Sequence, residues 1–279
     1  METIRLDGRL LANHIYEQLR TEIKNLPHTP RLAVVRVGEN PASTIYVNMK
    51  KKVADSIGLQ TQIHNLPLFI TTESLADFVH GLNNDSNIDG ILVQLPLPSH
   101  IDTNTIIESI DPKKDVDGLT SKNQGGLLTG HPTLLPCTPL GCLRLIQQVK
   151  TDLSGLIAVV VGRSRLVGRP MAQILLDQNC TVAQAHTRTK DLVGLCSQAD
   201  ILVSATGVPG LIKKEHVKPG AIVIDVGISR TTDNHIAGDV DAASVQGTAG
   251  WLTPVPGGVG PMTVAMIMSN MVNIVKNQF

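Results

Sequence analysis

The sequence predicts an α/β fold in two domains, each with a parallel β-sheet covered by helices. The chain has 279 residues, a length at which two hydrophobic cores of ordinary size can form. Short β-branched runs of strand length alternate with helical stretches, and parallel neighbours need such crossovers. The alternation stops in a loop-rich stretch, residues 114–139, and then starts again. Its two halves are the two predicted domains.

The first half alternates helix and strand. A helix over residues 7–26 is predicted from apolar residues that recur every three or four positions, namely Leu11, Ile15, Leu19, Ile23 and Leu26. A strand is predicted over residues 32–37, and a helix over 42–57 follows it. A further helix is predicted after Thr71 and Thr72, which can both cap a helix, and residues 90–94 are predicted to form the next strand.

The second half alternates in the same way. Residues 156–162 form an almost continuous apolar run, which is typical of a central parallel strand. Three more strands are predicted over residues 181–185, 201–205 and 221–226. The last helix is predicted over residues 261–277, begins at a proline and is apolar on several faces. The pattern is typical of a dinucleotide-binding sheet.

Composition excludes several classes of protein. Lys plus Arg equals Asp plus Glu, at 24 each, so no global positive field would hold a nucleic acid. The four cysteines form no CxxC pair and no His pair has metal-ligand spacing, so neither a metal site nor a disulfide framework is expected. The sequence has no apolar run that predicts a signal peptide or a membrane helix. We therefore expect a cytoplasmic protein without a membrane partner.

A glycine-containing loop follows the apolar run at 156–162 and precedes a predicted helix. Backbone N–H groups and the helix dipole bind phosphates at such a place. The candidate cofactor-binding residues of this loop are Gly162, Arg163, Ser164, Val167 and Gly168. The glycines do not form the GxGxxG pattern, so a plain strand-to-helix turn is the alternative for the loop taken alone.

The end of the next predicted strand indicates NADP rather than NAD. An NAD site usually carries an Asp or Glu about 20 residues beyond the glycines, where it binds the ribose hydroxyls. Residues 185–189 read AHTRT and contain no acid. Thr187 and Arg188, together with Arg163, can bind a ribose phosphate through charge-assisted hydrogen bonds. The alternative for the arginines is a solvated basic rim.

Tyr46 and Lys50 lie four residues apart on the predicted helix over 42–57, which places both on one face. A lysine within a run of three lysines is more often a solvated surface charge, and that is its alternative. Gln94 and Asp117 also have plain alternatives, as a buried amide at a strand end and as part of an acidic turn. Each of the four is a weak signal alone, and the set is a stronger one.

The order of the motifs along the chain points to a family. They are PAS at 41–43, Tyr46 and Lys50, QLPLP at 94–98, KDVDG at 114–118, PCTP at 136–139, GRSRLVGRP at 162–170, GDVD at 238–241 and TPVPGGVGPMT at 253–263. Over essentially the whole chain, this series resembles the bifunctional methylenetetrahydrofolate dehydrogenase/methenyltetrahydrofolate cyclohydrolase family.

The resemblance implies a domain organisation and a reaction. Residues 1–139, with a C-terminal helix over 262–279 packing back on them, would form an N-terminal α/β catalytic, folate-binding domain. Residues 140–261 would form a Rossmann-like NADP-binding domain, with a cleft between the two. The reaction would oxidise 5,10-methylenetetrahydrofolate to the 5,10-methenyl form with NADP and then hydrolyse it to 10-formyltetrahydrofolate. The resemblance also implies a homodimer in one-carbon metabolism and purine biosynthesis.

The resemblance assigns roles to the four residues of the N-terminal half. Tyr46 would lie against the folate rings, and the Asp117 carboxylate would accept hydrogen bonds from the pterin nitrogens. Lys50 would move protons during hydrolysis, which requires a lysine with a lowered pKa. Gln94 would hold Lys50 by a hydrogen bond, and Tyr46 completes the catalytic set.

The resemblance also implies that Pro256, Gly257 and Gly258 form a substrate-binding loop near the nicotinamide and the folate. A hinge before the last helix is the alternative for these three residues.

Three other functions fit parts of the sequence. Short-chain dehydrogenases also use a Tyr–Lys pair, but their glycine-rich loop precedes the pair, whereas Gly162 follows Lys50. A dehydrogenase or a cyclohydrolase with one activity alone would not need Lys50, Gln94 and Arg163 together. A non-enzymatic NADP-binding sensor would not need Lys50 and Asp117.

Overall fold

Two parallel sheets organise the chain in this computed structural model, which describes residues 2–39, 41–230 and 235–277, without the side chains of residues 41–43 and 45. Each sheet belongs to its own unit. The six-stranded unit comprises Met1–Asn13 and Pro136–Met266, and the three-stranded unit comprises His14–Leu135 and Ile267–Phe279. A separate two-stranded antiparallel sheet, formed by residues 229–230 and 236–237, lies within the sequence range of the six-stranded unit.

The strands are β1 (Ile4–Arg5), β2 (Arg31–Val37), β3 (Gln60–Leu66), β4 (Gly90–Val93), β5 (Ile157–Val161), β6 (Thr181–Ala185), β7 (Ile201–Ser204), β8 (Ile222–Asp225), β9 (Ser229–Arg230), β10 (Ile236–Ala237) and β11 (Trp251–Leu252). The helices are α1 (Gly8–Ile23), α2 (Pro41–Ile57), α3 (Thr72–Asn84), α4 (Thr103–Glu108), α5 (Ser121–Leu128), α6 (Cys137–Val149), α7 (Gly168–Asp177), α8 (Leu192–Cys196), α9 (Ala242–Val245) and α10 (Val259–Lys276). In the described part of the chain, no helix is long and apolar enough to cross a membrane.

The three-stranded sheet has the order β3-β2-β4, and β2 is parallel to both neighbours. Its central strand is almost wholly buried, as its apolar composition requires. Val35 of β2 lies in one core cluster with Leu75 and Val79 of α3. Thr71 caps α3, because its side chain accepts a hydrogen bond from the Ser74 N–H at 3.2 Å. Of the two threonines predicted to be able to cap this helix, Thr71 is the cap, and Thr72 is the first helical residue.

The six-stranded sheet has the order β1-β11-β8-β7-β5-β6, and every neighbouring pair is parallel. From β5 the chain goes to β6 on one side and then to β7 on the other side. Strand order therefore reverses between β5 and β7, and open α/β sheets bind ligands beyond the carboxyl ends of the strands at such a switch point. The loops after β5 and β7 are the ones placed there. The predicted two-domain α/β fold is confirmed.

Most of the differences from the sequence prediction concern short or polar elements. Strand β3 is not predicted, because its sequence QTQIHNL is largely polar and lies at a sheet edge. Strands β1 and β11 have two residues each and show no periodicity. The stretch predicted as loop-rich, 114–139, contains α5, so that part of the prediction is wrong. Thr120 caps this helix through its side chain.

The N-terminal residues pair within the larger sheet. The Ile4 N–H donates to the Gly250 carbonyl at 2.8 Å, and the Leu6 N–H donates to Leu252 at 2.9 Å. Residues 1–13 therefore group with 136–266, whereas the sequence suggests one domain over 1–139. Of the predicted C-terminal helix over 262–279, the last two residues lie outside the described ranges.

Candidate active site and cofactor loop

Lys50 points into the protein rather than into solvent. It shares one face of α2 with Val47, Ala54 and Ile57, which are all buried, and only 8% of its own surface is exposed. Its neighbour Lys51, by contrast, pairs with Asp55 four residues along at the surface. A buried charge needs polar partners, because desolvation alone would cost several kcal/mol. The surface-charge alternative for Lys50 is wrong.

Gln94 supplies one such partner. The Lys50 ammonium donates a hydrogen bond from Nζ to Gln94 Oε1 at 2.9 Å. Gln94 directly follows β4, and its backbone N–H continues the ladder to the Val35 carbonyl at 2.8 Å. Its side-chain Nε2 donates to the Leu95 carbonyl at 2.6 Å, which leaves Oε1 to accept from the lysine. The predicted Lys50–Gln94 contact is present.

The loop that carries Asp117 is held beside β4. The Ile91 N–H donates to the Lys114 carbonyl at 2.7 Å. The buried Asp115 carboxylate accepts from the Thr120 N–H at 2.8 Å and from Asn123 Nδ2 at 3.0 Å. These contacts fix the backbone on both sides of Asp117.

Asn270, a buried residue of α10, holds the same loop from another direction. Its Nδ2 donates to the Val116 carbonyl at 2.9 Å and to the Leu135 carbonyl at 3.0 Å. Because both carbonyls belong to loops, a single side chain ties two irregular segments to a helix. Asp117 follows directly after one of these anchored carbonyls.

Asp117 is electrostatically coupled to Lys50. Burial raises the pKa of Asp117 to about 6, the positive charge of Lys50 opposes that rise, and the Asp115 carboxylate adds to it. Tyr46 is half-buried one turn before Lys50 on α2. The three-stranded unit therefore gathers a buried lysine, an amide that orients it and a carboxylate with a raised pKa.

The loop after β5 makes a tight turn in which its two glycines pack against the backbone of neighbouring residues. Gly162 has φ +127°, and a Cβ on it would lie 2.3 Å from the Ala205 carbonyl oxygen. A Cβ on Gly168 would lie 2.3 Å from the Gly162 carbonyl oxygen. Ser164 Oγ accepts from the N–H groups of Val167 and Gly168, both at 3.2 Å, and so shapes the turn into α7.

Arg163, Thr187 and Arg188 are exposed at the carboxyl ends of neighbouring strands, β5 and β6. The Arg188 N–H donates to His186 Nδ1 at 3.1 Å, which holds the turn after β6. The first acid beyond β6 is Asp191, and its carboxylate caps α8. No carboxylate is thus placed at the end of β6, whereas hydroxyl and guanidinium donors are. This donor set fits a phosphorylated ribose.

The segment Pro256–Gly258 is held against the start of α1 within the six-stranded unit. The Gly8 N–H donates to the Gly257 carbonyl at 3.0 Å. A Cβ on Gly8 would lie 1.8 Å from the Gly258 carbonyl oxygen, so no side chain fits there. Gly257 has φ +110°, a conformation that favours glycine.

Several residues that position the site were not singled out from the sequence. Asn270 gave only a weak signal, because it is one of three polar residues in the otherwise apolar stretch MIMSNMVNIV. Asp115 lies in the KDVDG motif but had no role assigned to it, and Asn123 gave no signal, because amides are ordinary in loops. Among the described residues, no three His, Cys, Asp or Glu side chains are grouped so as to hold a metal ion.

Comparison with known protein families gives two matches that together span most of the chain. Residues 6–117 match the catalytic domain of tetrahydrofolate dehydrogenase/cyclohydrolase. Residues 136–279 match the NAD(P)-binding domain of tetrahydrofolate dehydrogenase/cyclohydrolase.

Individual proteins are similar over their whole length. The bifunctional protein FolD of Sulfurovum sp. is 48% identical over 277 residues, which cover 98% of this chain and 99% of that protein. The crystal structure of FolD from Campylobacter jejuni superposes with a TM-score of 0.96 at 43% identity, covering 99% and 100% of the two chains. The Trypanosoma brucei enzyme, solved with NADP cofactor and an inhibitor, has a TM-score of 0.93 at 34% identity, covering 100% and 99%.

Proposed function

Because this chain belongs to the tetrahydrofolate dehydrogenase/cyclohydrolase family, we propose that it oxidises 5,10-methylenetetrahydrofolate with NADP and hydrolyses the methenyl product to 10-formyltetrahydrofolate. The observation that carries the proposal is the buried Lys50–Gln94 hydrogen bond beside Asp117. A plain dinucleotide-binding protein has no use for a desolvated lysine and a carboxylate with a raised pKa in one unit.

The residues present fit NADP. Both glycines of the loop from Gly162 to Gly168 pack against protein backbone, which suits a tight turn from a strand into a phosphate-binding helix N-terminus. Arg163, Thr187 and Arg188 would hold the ribose phosphate. When bound, NADP supplies the two-electron acceptor for the first reaction.

In the oxidation, this chain contributes binding and orientation rather than a base. The lone pair of the folate nitrogen assists the loss of hydride from the bridging carbon, so no side chain has to remove a proton there. Tyr46 would lie against the folate rings, and the Asp117 carboxylate would accept hydrogen bonds from the pterin nitrogens. Holding the substrate in one orientation is a large part of the rate enhancement available to such a reaction.

In the hydrolysis, a proton has to move at oxygen and at nitrogen as water adds and the adduct collapses. Lys50 Nζ is the group that would move it, and Gln94 Oε1 fixes the position of that nitrogen. The Asp117 carboxylate belongs to the same unit and interacts electrostatically with Lys50. The hydrolytic chemistry therefore needs no residue beyond the three-stranded unit.

The roles of the individual residues remain part of the proposal. Pro256, Gly257 and Gly258 would contact the substrate near the nicotinamide. Residues 1–139 with 262–279 would be the folate-binding domain and 140–261 the NADP-binding domain. The matched family domains, at 6–117 and 136–279, support that assignment in outline.

We further propose a cytoplasmic homodimer that supplies formyl groups for purine biosynthesis. Family resemblance supports these points, since members commonly pair through the dinucleotide-binding domain. Sedimentation equilibrium of the purified chain tests the dimer, and a monomeric mass at micromolar concentration would contradict it.

Product analysis tests the proposed function. The purified protein is incubated with 5,10-methylenetetrahydrofolate and NADP, and the folates and NADPH are quantified by chromatography. We expect NADPH and 10-formyltetrahydrofolate in equal amounts, formed faster than the spontaneous hydrolysis of the methenyl form allows. Methenyl accumulation would indicate a dehydrogenase alone, and no turnover by folded protein would favour the sensor.

A further inference from the structure

Two buried carboxylates that the proposed chemistry does not use lie near the carboxyl ends of the strands of the six-stranded sheet. Asp225 is the last residue of β8, and Asp239 comes two residues after β10. Asp239 is 0% exposed and Asp225 is 3% exposed. Two buried acids this close to each other are unfavourable unless many donors compensate them.

One carboxylate oxygen of Asp239 accepts three hydrogen bonds from the end of β7 and the turn that follows it. Its Oδ2 accepts from the Thr206 N–H at 2.6 Å and from the Gly207 N–H at 3.3 Å. The same oxygen accepts from the Ser204 hydroxyl at 3.1 Å. Its other oxygen, Oδ1, is buried without a hydrogen-bond donor among the described residues. The compensation of this charge therefore comes from the turn at 204–207.

Asp225 in turn holds Asp239. Its Oδ1 accepts from the N–H groups of Gly227 and Asp239, both at 2.9 Å, and its Oδ2 accepts from the Val240 N–H at 2.9 Å. Its own backbone N–H donates to Thr253 Oγ1 at 2.7 Å, which links the pair to the segment after β11. Burial, with a smaller contribution from the Asp239 carboxylate, raises the pKa of Asp225 to about 6.

Two glycines pack directly against the carboxylates of Asp225 and Asp239. A Cβ on Gly227 would lie 2.2 Å from Asp239 Oδ1, and a Cβ on Gly238 would lie 1.9 Å from Asp225 Oδ2. Any side chain at either position would collide with a carboxylate. The close packing explains why glycines stand beside both acids.

The turn held by Asp239 supports the cofactor loop. The Ala205 N–H donates to the Val161 carbonyl at 2.8 Å, and the Ala205 carbonyl is the group against which Gly162 packs. This contact lies between β5 and β7, where the strand order reverses. A change in the turn at 204–207 would therefore be transmitted to the first residue of the phosphate-binding loop.

We propose that Asp239, held by Asp225, is a positioning residue for the nicotinamide cofactor. Asp239 fixes the turn at 204–207, and this turn supports the loop that binds the phosphates of the cofactor. The inference rests on the proposed function in taking NADP as the ligand. Asp239 is buried and has no role in contacting substrate. Its contribution is a backbone arrangement that is already formed before the cofactor arrives.

The test compares two isosteric variants of buried or half-buried acids in the same sheet. Asp239→Asn weakens the acceptor for the turn. Asp200→Asn is the matched control, because Asp200 accepts from the Ile157 N–H at 2.9 Å and from Lys218 Nζ at 2.6 Å at the opposite, amino edge of the strands. NADPH binding is measured by fluorescence titration, the KM for NADP by initial rates, and methenyl hydrolysis in the absence of cofactor.

For Asp239→Asn we expect NADPH binding to weaken and the KM for NADP to rise by about tenfold, as for loss of a charge-assisted hydrogen bond. Hydrolysis without cofactor should stay within about twofold, since the residues proposed for it lie in the other unit. Asp200→Asn should leave both cofactor measurements unchanged. Ser204→Ala, which removes one donor alone, should weaken NADPH binding less than Asp239→Asn does.

Other results overturn the inference. Unchanged NADPH binding by folded Asp239→Asn, or equal weakening by Asp200→Asn, would show that the carboxylate does not act on the cofactor. If Asp239→Asn does not fold, unchanged binding by Ser204→Ala has the same meaning. Native protein that binds NADPH but does not oxidise the folate would refute the proposed function, and the binding ratios would still decide this inference.

Discussion

Lys50 Nζ and Gln94 Oε1 lie 2.9 Å apart, and the lysine is buried in spite of standing first in a run of three lysines. The helix places Lys50 inward, and the strand end places Gln94 opposite it. The Nε2 of the same Gln94 amide donates a hydrogen bond to the Leu95 carbonyl. Gln94 is thus the acceptor that orients the lysine.

Replacing Gln94 should impair hydrolysis selectively. Gln94→Ala leaves Lys50 without its amide acceptor, so we expect methenyl hydrolysis to fall by at least about tenfold, the lower range for a general acid–base group. The decay of the methenyl absorbance without NADP measures it. Cofactor binding should not change, because Gly162 and Arg163 belong to the other unit. Undiminished hydrolysis would contradict the role of Gln94.

The affinity for folate should depend on pH through Asp117. Its pKa is raised to about 6 by burial, so the carboxylate that accepts hydrogen bonds from the pterin is present above that pH and lost below it. The KM for methylenetetrahydrofolate should therefore rise as pH falls through 6, by about tenfold for each further unit. Asp117→Asn should raise the KM at neutral pH and remove this dependence. The same pH profile in the variant would show that another group titrates.

Cofactor preference should depend on the arginines at the strand ends. Arg163→Ala should raise the KM for NADP by about tenfold or more, because a charge-assisted hydrogen bond to phosphate is lost. Arg188→Ala should act in the same direction. Neither change should alter the KM for NAD, which lacks that phosphate, and initial rates with both cofactors measure the ratio. Equal losses with NAD and NADP would indicate a general effect on the loop.

Asn270 should be a positioning residue for the folate site. Asn270→Leu keeps the volume but leaves the Val116 and Leu135 carbonyls without this donor, which should lower the free energy of unfolding by about 1–3 kcal/mol. The KM for folate should rise, because Val116 precedes Asp117, while NADPH binding should stay the same. Thermal unfolding and the two KM values measure this. A destabilised variant with an unchanged folate KM would restrict Asn270 to a structural role.

The sequence predicted the long, strongly periodic elements and the residues of the motifs. Buried strands such as β5 and the capped helix α3 follow from apolar runs and a capping threonine, which act locally. The polar strand β3 and the paired ends β1 and β11 depend on neighbours distant in the chain, so no local pattern predicts them. The role of Asn270 could not be predicted for the same reason, because its hydrogen-bond partners lie more than a hundred residues earlier in the chain. The catalytic role of Lys50 was expected from its family motif, whereas its run of lysines alone suggests a solvated surface charge.

The most direct test follows NADPH and the methenyl chromophore together in native protein, Lys50→Met and the matched control Lys51→Met. We expect native protein and Lys51→Met to form NADPH with little methenyl intermediate, because Lys51 pairs with Asp55 at the surface. Lys50→Met should still form NADPH and should accumulate the methenyl form. Rapid methenyl hydrolysis by Lys50→Met would contradict the role of Lys50, and no NADPH from native protein would contradict the dehydrogenase activity.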